Sequence, residues 1–99
     1  MKKIVLGADH GGYELKDHIK AHLTSLGYEV TDVGTNSAES CDYPIYASRL
    51  CQKIQAGEAE LGILICGTGI GISLAANKMK GIRCVVCSDC FSAKMSREH

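Results

Sequence analysis

Apolar residues follow two spacings along this chain. Short runs rich in β-branched residues fall at positions 3–7, 29–33, 63–65 and 82–87, and each reads as a strand. Ile63-Leu64-Ile65 is unbroken by any polar residue, the pattern of a strand covered on both faces of a parallel sheet. Between the runs, apolar positions recur at helical intervals. Leu15, Ile19, Leu23 and Leu26 predict a helix over 13–26 that buries them on one face, and Gly27 is suited to end it. Pro44 suits the first turn of a second helix to about 55, with Ile45, Leu50, Cys51 and Ile54 inward, and 56–58 ends it. Ile72, Leu74, Ala75 and Ala76 predict a third helix to about 79, broken at Gly81. Asp89 is placed to cap a fourth over 90–99. Residues 34–43 are polar and irregular.

The order β-α-β-α-β-α-β-α implies right-handed crossovers, hence a parallel sheet with helices on both faces, a Rossmann-like three-layer α/β/α arrangement of four strands. Ligands of such sheets bind beyond the carboxyl ends of the strands. Two loops at that edge carry chemistry: Asp9-His10-Gly11-Gly12 after the first strand, and Cys66-Gly67-Thr68-Gly69-Ile70-Gly71 after the third. The first and third strands are expected as neighbours across a topological switch point. A glycine loop opening a helix presents backbone N–H groups at the positive end of the helix dipole, so it suits an anion or a developing oxyanion. The spacing fits neither G-x-G-x-x-G nor a P-loop, which favours a small oxyanion over a nucleotide. Cys66 stands at the mouth of this pocket as a candidate base or nucleophile; a small buried residue at a strand end is the plain alternative. Asp9 and His10 suit contacts to a sugar hydroxyl or phosphate, or a helix cap and an exposed histidine.

Composition narrows the choice. Ninety-nine residues with 11 basic and 11 acidic side chains bound one domain of zero formal net charge, which speaks against nucleic-acid binding. No apolar run is long enough to span a bilayer, and the first residues lack the apolar segment of a signal peptide, so a cytoplasmic location away from the membrane is expected. Six cysteines without an export signal read as reduced, buried small hydrophobes. The C-x₂-C-x₂-C spacing of Cys84, Cys87 and Cys90 lies largely on the fourth predicted strand, where alternate side chains point apart, and no fourth cysteine completes the iron–sulfur pattern at Lys94. His18 and His22 have metal-ligand spacing but no third partner, so no metal is expected.

Taken together, 7–12 (GADHGG), Asp42-Tyr43-Pro44, 66–71 (CGTGIG), Ala76-Asn77-Lys78, Gly81-Ile82-Arg83 and Arg97-Glu98-His99 resemble, in order and over the whole chain, the ribose-5-phosphate isomerase B family, which also contains galactose-6-phosphate isomerase subunits. The resemblance implies a cofactor-independent aldose–ketose isomerase of pentose phosphate metabolism acting through an enediolate. It implies Cys66 as the base that moves the proton between C1 and C2. Gly67, Thr68, Gly69, Ile70 and Gly71 would stabilise the enediolate, Asp9, His10 and Tyr43 would contact substrate, and His99 would open the sugar ring. Family members are homodimers or homotetramers. They continue past this histidine with an asparagine, a fifth strand and a helix whose arginines hold phosphate, so the resemblance implies a C-terminally incomplete domain. The alternatives are an isomerase of a six-carbon sugar phosphate, an inactive or assembly subunit, and a thiol redox protein.

Overall fold

The computed structural model describes residues 2–34 and 43–98. Three parallel strands form the sheet in the order β2-β1-β3: β1 Lys3–Ala8, β2 Glu29–Asp32 and β3 Leu61–Ile65. The helices are α1 Tyr13–Ser25, α2 Tyr43–Gln55, α3 Ile70–Asn77 and α4 Cys90–Glu98. In this strand order α1 crosses to one edge and α2 to the other, which places the switch point between β1 and β3, as the sequence pattern predicts. The register pairs Ala8 with Ile65. Consequently Asp9 and Cys66, the residues that follow, leave the sheet side by side.

Strand β1 is central and buried from Ile4 onward. Val5 packs with Leu50, Cys51, Ala59 and Ala76, joining α2 and α3 over one face. Gly62 lets α2 approach closely, because a Cβ there would lie 2.5 Å from the Leu50 side chain. Gly27 ends α1 with φ +93°, its N–H donating to Thr24 O and that of Tyr28 to Leu23 O, the paired bonds of a Schellman turn. Asp89 caps α4 by accepting the Ser92 N–H at 2.7 Å.

Three expectations need correction. Positions 82–87 form no strand. Both ladder groups of Cys84 are taken by one side chain: its N–H donates to Asn77 Oδ1 and its carbonyl accepts from Asn77 Nδ2, each at 2.8 Å. Among the described residues the sheet therefore has three strands rather than four. On α1, Ile19 and Leu23 are half-buried on the expected face, whereas Leu15 and Leu26 are exposed and Lys16 is completely buried. Gly12 turns Lys16 inward, since it presses against Ile65 and Lys16 follows one turn later. In α2 the buried residues are Ala47, Leu50 and Cys51, spaced i, i+3, i+4, and Ile45 falls outside that stripe and is exposed.

Lys16 is accommodated by charge. Its Nζ donates to both carboxylate oxygens of Asp32, at 2.8 and 2.7 Å. Burial pushes the Asp32 carboxyl up, but the Lys16 bond, the Gly34 N–H and the positive charges of Lys16 and Lys20 outweigh it and hold the group below its ordinary 3.8. A depressed native pKa stabilises the fold at pH above the ordinary value, and the contribution is lost as pH falls through the depressed one. Urea midpoints of the wild type should therefore drop steeply below about pH 4, and the same plot for Asp32→Asn should be flatter there while lying lower at neutral pH.

Candidate active site

Strand β3 ends at Ile65, and the chain turns through 66–69 into α3. Gly69 makes the turn with φ +81°, a left-handed conformation that glycine adopts without steric cost. The turn folds the Gly69 N–H back onto Cys66 Sγ at 3.0 Å and the Ile70 N–H onto Thr68 Oγ1 at 3.2 Å. Cys66 is half-buried. Its sulfur meets a donor at the position where negative charge sits once the thiol has lost its proton. Helix α3 adds the positive end of its dipole. Of the amides expected to cradle an oxyanion, those of Gly69 and Ile70 are engaged by these two side chains in the structure.

The second loop packs against the first. A Cβ on Gly11 would stand 3.1 Å from Gly67 N, and one on Gly12 would stand 2.5 Å from Ile65 O. A side chain at Gly11 would push Gly67 back by a few tenths of an ångström, and one at Gly12 would collide with the end of β3. Asp9 is buried; its N–H donates to Ile65 O at 3.2 Å and its Oδ1 accepts the Gly11 N–H at 2.8 Å. Asp9 therefore folds its own loop rather than capping α1, whose first position is preceded by Gly12 with no side-chain cap. His10 is exposed beside it.

Cys66, Gly67, Thr68, Gly69, Ile70, Gly71, Asp9 and His10 are thus gathered at one edge of the sheet. Tyr43 begins α2, and its side chain and all of His99 lie outside the described residues. Sequence reasoning missed Lys16 and Asp32 next to this edge. The available signal was a lysine four residues after Gly12 on a helix expected to face the sheet.

The other cysteines divide. Burial pushes the Cys51 and Cys84 thiols up, each further raised by a neighbouring cysteine, whereas Cys87 and Cys90 are exposed. The expectation of a uniformly buried set fails for that pair because Cys87 lies in 82–89, which enters no sheet, and Cys90 opens α4, which buries no residue. Cys41 lies outside the described residues. No three His, Cys, Asp or Glu side chains among the described residues converge as a metal site would require. Alkylation of the native protein, read by peptide mass spectrometry, should modify Cys87 and Cys90 first and Cys51 at least about a hundredfold more slowly.

Fold and site define an α/β protein with its reactive groups at the carboxyl edge of a parallel sheet, around one helix N-terminus. Comparison with known proteins gives the family. Residues 4–99 match the Ribose/Galactose Isomerase family model. Ribose-5-phosphate isomerase B of Escherichia coli is 58% identical over 99 residues, covering 100% of this chain and 66% of its own length. The structure of ribose-5-phosphate isomerase B from Clostridium thermocellum superposes with a TM-score of 0.96 at 52% identity, over 98% of this chain and 66% of that one. That of a ribose 5-phosphate isomerase from Thermotoga maritima does so with 0.96 at 47% identity, over 99% and 68%. The chain belongs to the ribose/galactose isomerase family. It spans about two thirds of the length of these relatives. No helix among the described residues is long and apolar enough to cross a membrane.

Proposed function

We propose that the chain carries the proton-transfer centre of a cofactor-independent aldose–ketose isomerase acting on ribose 5-phosphate. The observation that supports this reading best is Cys66 Sγ held at 3.0 Å by the Gly69 N–H at the start of α3, with the Asp9 loop packed against Gly67. The hard step in such a reaction is removal of a proton from the carbon beside a carbonyl. It needs a base within reach of that carbon and donors aimed at the oxygen that gains charge, which together supply factors of about 10² to 10⁴ each.

In this reading the Cys66 thiolate takes the C2 proton of the open-chain aldose. The electron pair moves into an enediolate whose oxygen lies against those 67–71 amides that the Cys66 and Thr68 side chains do not engage; the O2 hydroxyl proton passes to O1, and the Cys66 thiol, after exchange with solvent, delivers a proton to C1 to give the ketose. Asp9 and His10 contact the substrate from the facing loop, with Tyr43 beside them. His99 assists ring opening, and a partner copy in a homodimer or homotetramer completes the site. The compartment is the cytoplasm.

The family's description names galactose as well as ribose, so a six-carbon sugar phosphate is the second reading. Turnover of ribose 5-phosphate, allose 6-phosphate and galactose 6-phosphate, each followed by appearance of the ketose in NMR spectra, separates the two. The proposal predicts the highest kcat/KM for the pentose. A higher value for either hexose overturns the pentose assignment, and no ketose from any of the three overturns the isomerase assignment for this chain.

A further inference from the structure

The substrate-facing loop at Asp9 is held from behind by a charged group that takes no part in the proposed proton transfer. We propose that Asp32, through its buried pair with Lys16, is a positioning residue that fixes the loop carrying Asp9 and His10. The inference rests on the reading of those two residues as substrate contacts.

Asp32 is the last residue of β2, with its side chain 10% exposed. Its two oxygens reach the loop from both ends. On the helix side, both accept from Lys16 Nζ, and the Lys16 N–H donates to Gly12 O at 2.9 Å. That seats the first turns of α1, and with them the end of the loop, against β2. On the strand side, Asp32 Oδ1 accepts the Gly34 N–H at 2.8 Å, and Gly34 O accepts the Ala8 N–H at 2.6 Å. Ala8 is the residue directly before Asp9. One carboxylate therefore ties down residues 8 and 12, and the four-residue span Asp9-His10-Gly11-Gly12 begins at one tie and ends at the other. Lys20 lies 3.6 Å from the same carboxylate and Asp17 3.9 Å from Lys16, so the pair belongs to a small charge network.

A fully buried lysine is an expensive way to pack a helix on a sheet. Neutral side chains of similar volume commonly serve the fold as well or better. What they do not supply is a forked acceptor joining two separate backbone segments, and that is the geometry observed here.

The test separates the fold from the loop. In Lys16→Met/Asp32→Leu the core stays neutral and filled while both ties are lost. The variant should remain folded by circular dichroism. Amide exchange at Gly11, whose N–H is held by Asp9, and at Gly12 should quicken about tenfold. KM for ribose 5-phosphate should rise about tenfold, with kcat changed less than about threefold. Unchanged Gly11 and Gly12 exchange in the folded variant overturns the proposal, as does a fall in kcat at constant KM. Should that variant fail to fold, Lys16→Met/Asp32→Asn carries the test, because asparagine keeps an acceptor for Gly34. There Gly12 exchange should still quicken, and unchanged exchange overturns the proposal. If the wild type turns over no ribose 5-phosphate, the isomerase reading falls by itself and the exchange rates alone decide the role of Asp32.

Discussion

Cys66→Ala should lower kcat for ribose 5-phosphate isomerisation by about 10³-fold or more while the protein stays folded. The variant removes only the sulfur. The residue is half-buried at the end of β3, and among the described residues the sulfur's hydrogen bond is the contact from Gly69 N–H at 3.0 Å. The loss of one such bond costs the fold about 1 kcal/mol, a small fraction of ordinary domain stability. The loss to chemistry is far larger, since Cys66 carries the only ionisable side chain on the 66–69 turn. Cys66→Ser should be nearly as inactive, because a serine hydroxyl is not ionised at neutral pH. Steady-state kinetics with circular dichroism on the same samples checks both halves. A variant retaining a tenth or more of wild-type kcat would remove Cys66 from the role of base.

The largest expected effect on stability is at Gly12. An alanine Cβ there would lie 2.5 Å from the Ile65 carbonyl oxygen, 2.6 Å from its carbon and 2.7 Å from its side chain. Gly12 has φ −125°, so its backbone would accept alanine; the conflict is purely with the neighbour. That neighbour is backbone of β3, and Ile65 O also accepts the Asp9 N–H, so relief requires moving the end of β3 or the start of α1. Gly12→Ala should cost about 3 kcal/mol or more, a fall in Tm of about 12–24 °C or more for a domain of this size. Thermal unfolding followed by circular dichroism measures it. The shift falls next to Cys66, so kcat should fall as well. A near-wild-type Tm would mean that β3 and α1 are not pressed together as described.

Most of this architecture was legible in the pattern of apolar residues. The strand centres at 3–7 and 63–65 are short β-branched runs that suit a sheet, and β1 and β3 fall there. Their adjacency followed from the alternation of strands and helices, because parallel crossovers allow few arrangements. The two glycine-bearing loops were legible for the same reason, being the links that leave the carboxyl ends of those strands. Where the pattern misled, tertiary contacts decided. At 82–87 the β-branched run is real, but the Asn77 amide takes the Cys84 backbone, a competition invisible to periodicity. On α1, Leu15 and Leu26 have the right spacing for a buried face, yet the close approach of Gly12 to Ile65 turns Lys16 inward instead. Lys16 was overlooked because a lysine reads as surface until its partner is known, and Asp32 is 16 residues away. The engagement of Gly69 N–H with the cysteine likewise depends on a left-handed turn that a three-glycine loop allows without specifying.

In the proposed reaction the sulfur of Cys66 moves the substrate's C2 proton, and deuterium incorporation measures that step itself. Ribose 5-phosphate in deuterated water should lose its C2 proton signal in the presence of the wild-type chain and acquire deuterium as ribulose 5-phosphate appears. With Cys66→Ala the exchange should fall to the rate in buffer. Absence of exchange with the wild type, or equal exchange with the variant, would contradict the claim.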